Sequence, residues 1–453
     1  MIYDDAMTIN AINQADSTFP NEDLETRTTG NSIEAKKSQK EKYQAVNLYG
    51  WMKKVFRPTA LVALVAAVVL AGCGHGVLSR VIKKVSTSTT SGSTAAVPSL
   101  QFPKGGWPGS PVTAMRVIVP SEAARGSFGP DGRIAYSKLD HVVNGTRYGD
   151  IYVASATGSG ARCITCNNPR VPHLSNDVPV WDPNGQYIVY EGQNPSLGSA
   201  PSRLTQGGAG FNNDLWAITP GGHHAYRLTN TMRGEAVLHP QFSLNGTQLA
   251  WAAYDHVPGG LLERRGQWNI HVASFAITAH GPALENVHVY RPGQATTTTF
   301  YETHGFTSTG MLVFSSNMDS PYESSCRGCA LGIWKWRPGS SSPPVLLTPN
   351  TSAWNEHAAI NPRTGNIAWI TSQGEPFIPS NDWGATLRTD WWIMGPNGGG
   401  KQRLTFFNSP GSRQRVICAE GSWNPSGNEL LAAVEVFNGT ASNSELVELS
   451  IGT

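Results

Sequence analysis

One short pattern recurs along this chain: an apolar or aromatic residue, a tight-turn cluster ending in Gly, then a run of β-formers. Trp181-Asp-Pro-Asn-Gly185 leads into Ile188-Val-Tyr190. Pro183 presets φ, Asp182 and Asn184 can bond nearby backbone, and Gly185 accepts a positive φ, so this segment reads as a turn between two strands. The pattern returns at Phe128–Gly132, Phe242–Gly246, Phe306–Gly310, Ile360–Gly365 and Trp423–Gly427, each followed by a strand such as Ile134-Ala-Tyr136 or Ile367-Ala-Trp369. Six copies roughly 50 to 65 residues apart, each one small antiparallel unit, predict an all-β six-bladed propeller of four-stranded blades.

Composition agrees with a turn-dense β protein: Gly 48 and Pro 30 in 453 residues, with charged residues at 15% against roughly 25% in ordinary soluble domains. A formal net charge of +2 gives no support for a nucleic-acid partner.

Within the second repeat the four strands read as Val178–Trp181, Tyr187–Tyr190, Asp214–Ile218 and Ala225–Leu228. The fifth repeat matches it with Trp391-Trp-Ile-Met394, Gly395-Pro-Asn-Gly398 and Gln402-Arg-Leu-Thr405. These strand and turn motifs, with the "Arg-Leu-Thr" exit, resemble the repeats of TolB-type propellers over about residues 112–453. The α/β domain that precedes the propeller in TolB has no counterpart in 74–111, so TolB's partners are not carried over. After Glu445–Ile451 no fourth strand is left for the last repeat, whereas Met115–Val119 precedes the first repeat without one of its own. The expectation is that this N-terminal strand completes blade six and removes the free edges of an open array.

The N-terminal quarter of the chain reads differently. Residues 1–51 are polar and aperiodic, a disordered extension or a mis-assigned start ahead of Met52. Residues 52–73 run from a basic segment (Lys53, Lys54, Arg57) through the apolar stretch Thr59–Ala71 to Leu70-Ala-Gly-Cys73. The apolar run falls short of the ~20 residues of a spanning helix and has the layout of a secretory signal. It resembles a bacterial lipoprotein signal, which implies lipid on Cys73, an extracytoplasmic protein and, with Gly74 rather than Asp next, an outer-membrane lipoprotein facing the periplasm. Residues 74–111, rich in Ser, Thr, Gly and Pro, read as a tether between the anchor and a monomeric propeller.

In the expected topology the a–b and c–d turns share one face and the long b–c loops the other, so the long-loop face is the expected contact surface for an envelope protein or a polysaccharide. The innermost strands begin with Asp177, Glu235 and His239, Glu302 and His304, Glu356 and His357, and Glu420. Converging at the channel mouth, His239, His304, His357, Glu302, Glu356 and Glu420 would suit a divalent metal or acid–base chemistry, and hence a metal-dependent lyase or hydrolase as the alternative to a binding scaffold. Cys163/Cys166 and Cys326/Cys329 are expected as two local disulfides of an extracytoplasmic protein, and Cys418 as a buried apolar residue. No Gly-x-Ser-x-Gly elbow, phosphate loop or dinucleotide fingerprint occurs.

Overall fold

Gly185, like its counterparts Gly132, Gly246, Gly310, Gly365 and Gly427, has a positive φ, between 71° and 84°, so the turn chemistry that defined the repeat is realised in all six copies. Each turn joins the inner two strands of a four-stranded antiparallel sheet. The computed structural model describes residues 97–452 apart from 144–145, 198–209, 257–265, 294–295, 297–298, 319, 321–330, 350–352, 376–385, 413 and 440.

The chain enters through β1 (Val112–Val119) and then forms blade one from β2 (Ala123–Phe128), β3 (Ile134–Val143), β4 (Thr146–Ala154) and β5 (Arg162–Cys163). Blade two holds β6 (Asn176–Trp181), β7 (Ile188–Gln193), β8 (Asn213–Ile218) and β9 (Ala225–Arg227), and blade three β10 (Ala236–Phe242), β11 (Gln248–His256), β12 (Gly266–Thr278) and β13 (Gly281–Tyr290). Blade four holds β14 (Tyr301–Phe306), β15 (Leu312–Ser316), β16 (Gly332–Trp336) and β17 (Val345–Leu346), and blade five β18 (Asn355–Ile360), β19 (Ile367–Thr371), β20 (Asp390–Met394) and β21 (Gln402–Arg403). Blade six is β22 (Arg415–Trp423), β23 (Glu429–Asn438), β24 (Ala441–Ile451) and, as its outer strand, β1. β1 runs antiparallel to β24 from Val112 opposite Ile451 to Val119 opposite Leu446, the closure expected from the missing strand.

Aromatic residues at one position of the second strand seal the blades to each other. Tyr190 clusters with Ala135 and Ile151 of the preceding blade, Trp251 with Val189 and Leu215, and Trp369 with Val313 and Ile333. Tyr190 and Trp369 are wholly buried, as inter-blade packing requires.

The "Arg-Leu-Thr" exit has a direct physical role. Thr405 Oγ1 accepts from the backbone N of Trp391 at 3.0 Å and donates to Asp390 at 2.6 Å, clasping the third strand to the fourth. Thr229 with Asp214 and Thr165 with Asp150 repeat the clasp, and Thr348 accepts from Ile333 N. The fourth strands are two or three residues long in blades one, two, four and five, so a side-chain clasp supplies what a short ladder does not.

The expected tether boundary at 111 is corrected. Residues 98–110 lie on the propeller: Ser110 Oγ donates to Leu404 O at 2.6 Å, Pro98 O accepts from Gln414, and Trp107 stands edge-on to Phe407 at 5.3 Å. Leu100 and Trp107 are buried in the main core, and their apolar area outweighs the tether-like composition around them. The expected extension, signal and Cys73 lie outside the described residues.

Thr405→Ala is expected to lower unfolding free energy by about 1–3 kcal/mol, because it strips a donor from the buried Asp390 carboxylate and an acceptor from Trp391 N; Thr405→Ser should recover most of it. Denaturant unfolding with an unchanged slope checks this, and wild-type stability in the Ala variant would remove the clasp's role.

Candidate functional site

All six innermost strands break register with their neighbours at the same point. The shifts fall between Ala123 and Gly126, Asp177 and Val180, Leu238 and Gln241, Thr303 and Gly305, Glu356 and Ala359, and Cys418 and Gly421. A bulge re-aims a side chain and is a frequent neighbour of functional sites. Val178, His239 and His357 adopt φ of 51°, 53° and 50° there, uncommon values for residues with a Cβ and strained for the β-branched valine. Aligned on the turn that follows, the bulged position carries Arg125, Val178, His239, Thr303, His357 and Glu420 from blades one to six, with Asp177, Glu302 and Glu356 one residue earlier in blades two, four and five.

These residues meet. His239 Nδ1 lies 2.7 Å from Glu302 Oε1 and His357 Nδ1 3.0 Å from the same oxygen. Glu420 Oε1 is 3.3 Å from His239 Nε2 and 3.7 Å from His357 Nδ1. The two imidazoles stack with centroids 5.8 Å apart. Arg125 closes the ring, its Nε 2.5 Å from Glu420 and its Nη1 3.1 Å from Asp177, whose other oxygen accepts from Ser137. Glu191, from the second strand of blade two, accepts from the strained backbone N of His239 at 2.8 Å. Glu356 accepts from Trp354 Nε1 at 2.8 Å and lies 3.3 Å from His357 Nε2.

Burial and neighbouring charge divide these groups. Burial opposes charge on His357, yet Glu420, Glu302 and Glu356 outweigh it and raise the imidazole to about 10. His239 is raised against burial by Glu302, then Glu420. Burial would raise Glu420, but Arg125 and the two histidines bring it down to about 2, and the same histidines hold Glu302 well below the usual range. Burial lifts Glu191 to about 8, and burial with the Glu302 charge lifts Glu356 well above the carboxylate range. His304 is pushed down by burial to about 3 and spends Nε2 on Ser315 Oγ at 2.5 Å.

Of the six residues expected to converge, His239, His357, Glu302 and Glu420 present ligand atoms all within 4.8 Å of one another. A tetrahedral ion with ~2.1 Å bonds needs about 3.4 Å between ligands, so a modest contraction would enclose one. Glu356 and His304 are neighbours of this group rather than members, and Glu235 instead caps the loop at Met232 N, 2.8 Å away. Two imidazoles and two carboxylates suit a borderline divalent ion such as Zn²⁺, Mn²⁺ or Fe²⁺. The fit has a specific mark: Glu302 Oε1 and His357 Nδ1 are buried without a correctly directed hydrogen bond, despite their 3.0 Å separation. Buried donor atoms that converge without a directed hydrogen bond between them fit a shared cation.

The expected position at the mouth of the long-loop face is corrected. The bulge falls in mid-strand, so the group sits inside the channel. A cavity of about 420 Å³ is lined by Arg125 and Glu420 together with turn residues Pro130, Pro183, Leu244 and Arg363. A neighbouring recess of about 190 Å³ reaches His304, again between a–b turns. Segments 198–209, 257–265, 321–330 and 376–385 of the long loops lie outside the described residues, and with them Cys326 and Cys329. The other expected disulfide, Cys163–Cys166, is formed, and Cys418 is buried, its thiol donating to Thr389 O at 3.3 Å.

Arg125 escaped the sequence reading. The signal was available: it is the blade-one residue at the repeat position that elsewhere holds His239, His357 and Glu420. A search for metal ligands passes over arginine, although the ring needs a cation between Asp177 and Glu420.

No family model matches the chain, and no curated protein matches its sequence. Its fold is similar to that of an oligogalacturonate lyase in complex with manganese, at 9% identity over 79% of this chain and 96% of that one, TM-score 0.42. It is similar to a puromycin-hydrolyzing peptidase of Mycobacterium tuberculosis, at 11% identity over 77% of this chain and 55% of that one, TM-score 0.41. Prolyl oligopeptidase B of Galerina marginata matches at 11% identity and TM-score 0.40 over 74% of this chain, which spans only 42% of that enzyme. At such identities the likeness concerns the propeller and carries nothing about activity.

Arg125→Met is expected to destabilise the protein by about 3–5 kcal/mol, since it leaves Asp177 and Glu420 buried without their cation. Adding Glu420→Gln should return part of that loss in a double-mutant cycle. An additive pair measured by chemical denaturation would mean the two residues do not interact.

Proposed function

We propose that this chain is an envelope propeller whose working part is its channel: a divalent transition-metal centre held by His239, Glu302, His357 and Glu420. The observation that carries the reading is the convergence of two imidazoles and two carboxylates, from four different blades, on one spot where Glu302 Oε1 and His357 Nδ1 lack directed hydrogen bonds. An inert channel lining has no use for strained bulges that bring such donors together.

The chemistry in keeping with this centre is that of a metal-dependent lyase or hydrolase. A bound divalent ion would supply charge stabilisation at a substrate oxygen. Arg125 holds Glu420 in place from the opposite side, and protonated Glu356 and Glu191 stand next to His357 and His239 as proton-bearing groups. Substrate would approach from the a–b turns, where the 420 Å³ cavity reaches Glu420. The binding-scaffold reading, with an envelope protein or polysaccharide on the long-loop face, depends on loops outside the described residues and is the second choice.

Metal analysis of chain purified without chelator is expected to give one transition ion per molecule, lost in Glu302→Gln and in His357→Ala. A metal-free protein that takes up neither Zn²⁺ nor Mn²⁺ would sink the proposal and leave an ion-pair network with a scaffold role.

The proposal also includes membrane attachment through lipid on Cys73. Feeding cells a palmitate analogue should label the wild type, and Cys73→Ser should lose both the label and the membrane fraction. Label retained in that variant would refute the anchor.

A further inference from the structure

Blade one departs from the clasp at one position. In blades two and five the residue two before the clasp threonine is an arginine, and its guanidinium neutralises the third-strand aspartate: Arg227 lies 2.8 Å from Asp214, and Arg403 2.7 Å from Asp390. Blade one keeps the threonine (Thr165) and the aspartate (Asp150) but has Cys163 where the arginine stands. The Asp150 carboxylate therefore faces a sulfur instead of a cation. Its Oδ2 lies 3.2 Å from His141 Nδ1, which is also 3.3 Å from Asp140 Oδ1. Cys166 Sγ is 3.8 Å from Asp140 Oδ2.

Two overlapping sets of donors result. Asp150, Cys163 and Cys166 present ligand atoms within 4.8 Å of one another, and so do Asp140, His141 and Asp150. Cys163-Ile-Thr-Cys166 has the two-residue spacing of a zinc-binding turn. The backbone N of Cys166 donates to Cys163 Sγ at 2.9 Å, a contact that stabilises negative charge on sulfur. The cysteines are half-buried and His141 has 29% of its side chain exposed, so solutes can reach the group. It belongs to the second, third and fourth strands of blade one and the turn after them, apart from the channel ligands on the innermost strands of blades three to six.

We propose that blade one carries a thiol-gated zinc site formed by Cys163, Cys166, Asp150 and His141, closed by the disulfide and opened by its reduction. With the S–S bond intact neither sulfur is a thiolate ligand. A dithiol reductant opens it by thiolate attack on one sulfur and resolution by its second thiol. The protein gains two electrons and two protons, and the reductant leaves as its own disulfide. The two cysteine thiols then release their protons as zinc binds. The ion takes the place beside the third-strand carboxylate that arginine holds in blades two and five. Thiolates select zinc over manganese, so this site and the channel differ in metal preference as well as in redox dependence.

The experiment uses the full chain carrying Cys326→Ser/Cys329→Ser, so that the second cysteine pair contributes nothing. Zinc is measured before and after treatment with excess dithiol, followed by anaerobic desalting and exposure to Zn²⁺ alone. Reduction is expected to add one zinc per chain. Cys163→Ser/Cys166→Ser should abolish the increment, and Asp150→Asn should weaken it at least tenfold. Because Asp150 also serves the clasp, His141→Ala is the parallel variant, with the same tenfold weakening expected. Glu302→Gln should leave the increment intact, which separates this site from the channel. No increment on reduction, or one that survives the double cysteine change, would overturn the proposal.

Discussion

The antiparallel pairing of β1 with β24 turns six separate sheets into one ring, and the channel chemistry depends on that closure. Arg125 belongs to the first blade and Glu420 to the last, yet their side chains stand 2.5 Å apart because the N-terminal strand has been spent on the C-terminal blade. Without closure Glu420 would lose its guanidinium partner and become a buried carboxylate facing two histidines. The edge strands of an open array would also be free to pair with other chains.

A second constraint works within each blade. A bulge in the innermost strand rotates one side chain into the channel, and six copies at one height make a belt of six positions. Four of those positions hold Arg125, His239, His357 and Glu420, and with Asp177 and Glu302 one residue earlier the opposite charges come near balance: Arg125 and the raised His239 and His357 against Asp177, Glu302 and Glu420. Burial alone would neutralise most of these groups. Neighbouring cations instead keep Glu302 and Glu420 ionised, whereas burial raises Glu191 and, with the Glu302 charge, Glu356 towards their protonated forms. The belt and its immediate neighbours thus contain both charged donors and neutral acids, the division of labour that acid–base and metal chemistry need.

The repeat also varies at its outer edge. The clasp of aspartate, threonine and arginine is a structural device in blades two and five, and replacing the arginine by Cys163 in blade one keeps the threonine contact while exchanging a fixed cation for a sulfur pair. The expected disulfide at that pair is formed, and its surroundings of Asp140, His141 and Asp150 became visible only from the packed blade.

The sequence by itself determined the blades. Turn residues such as Pro183 and Gly185, the alternation after them and the surplus strand at Met115–Val119 act through neighbours in the chain or through counting, so blade number, strand order and closure were legible. Only the tertiary structure decided which side chains meet. The bulges lie in mid-strand with no turn residue to announce them, which moved His239, His357 and Glu420 from the expected mouth into the channel. The partnership of Arg125 with Glu420 spans 295 positions. Leu100 and Trp107 sit in a stretch with the composition of a tether and were fixed to blades five and six by apolar area that only the folded surface offers. Local propensity writes the blade; the radius of the closed ring sets the distances across it, and no window of sequence contains that radius.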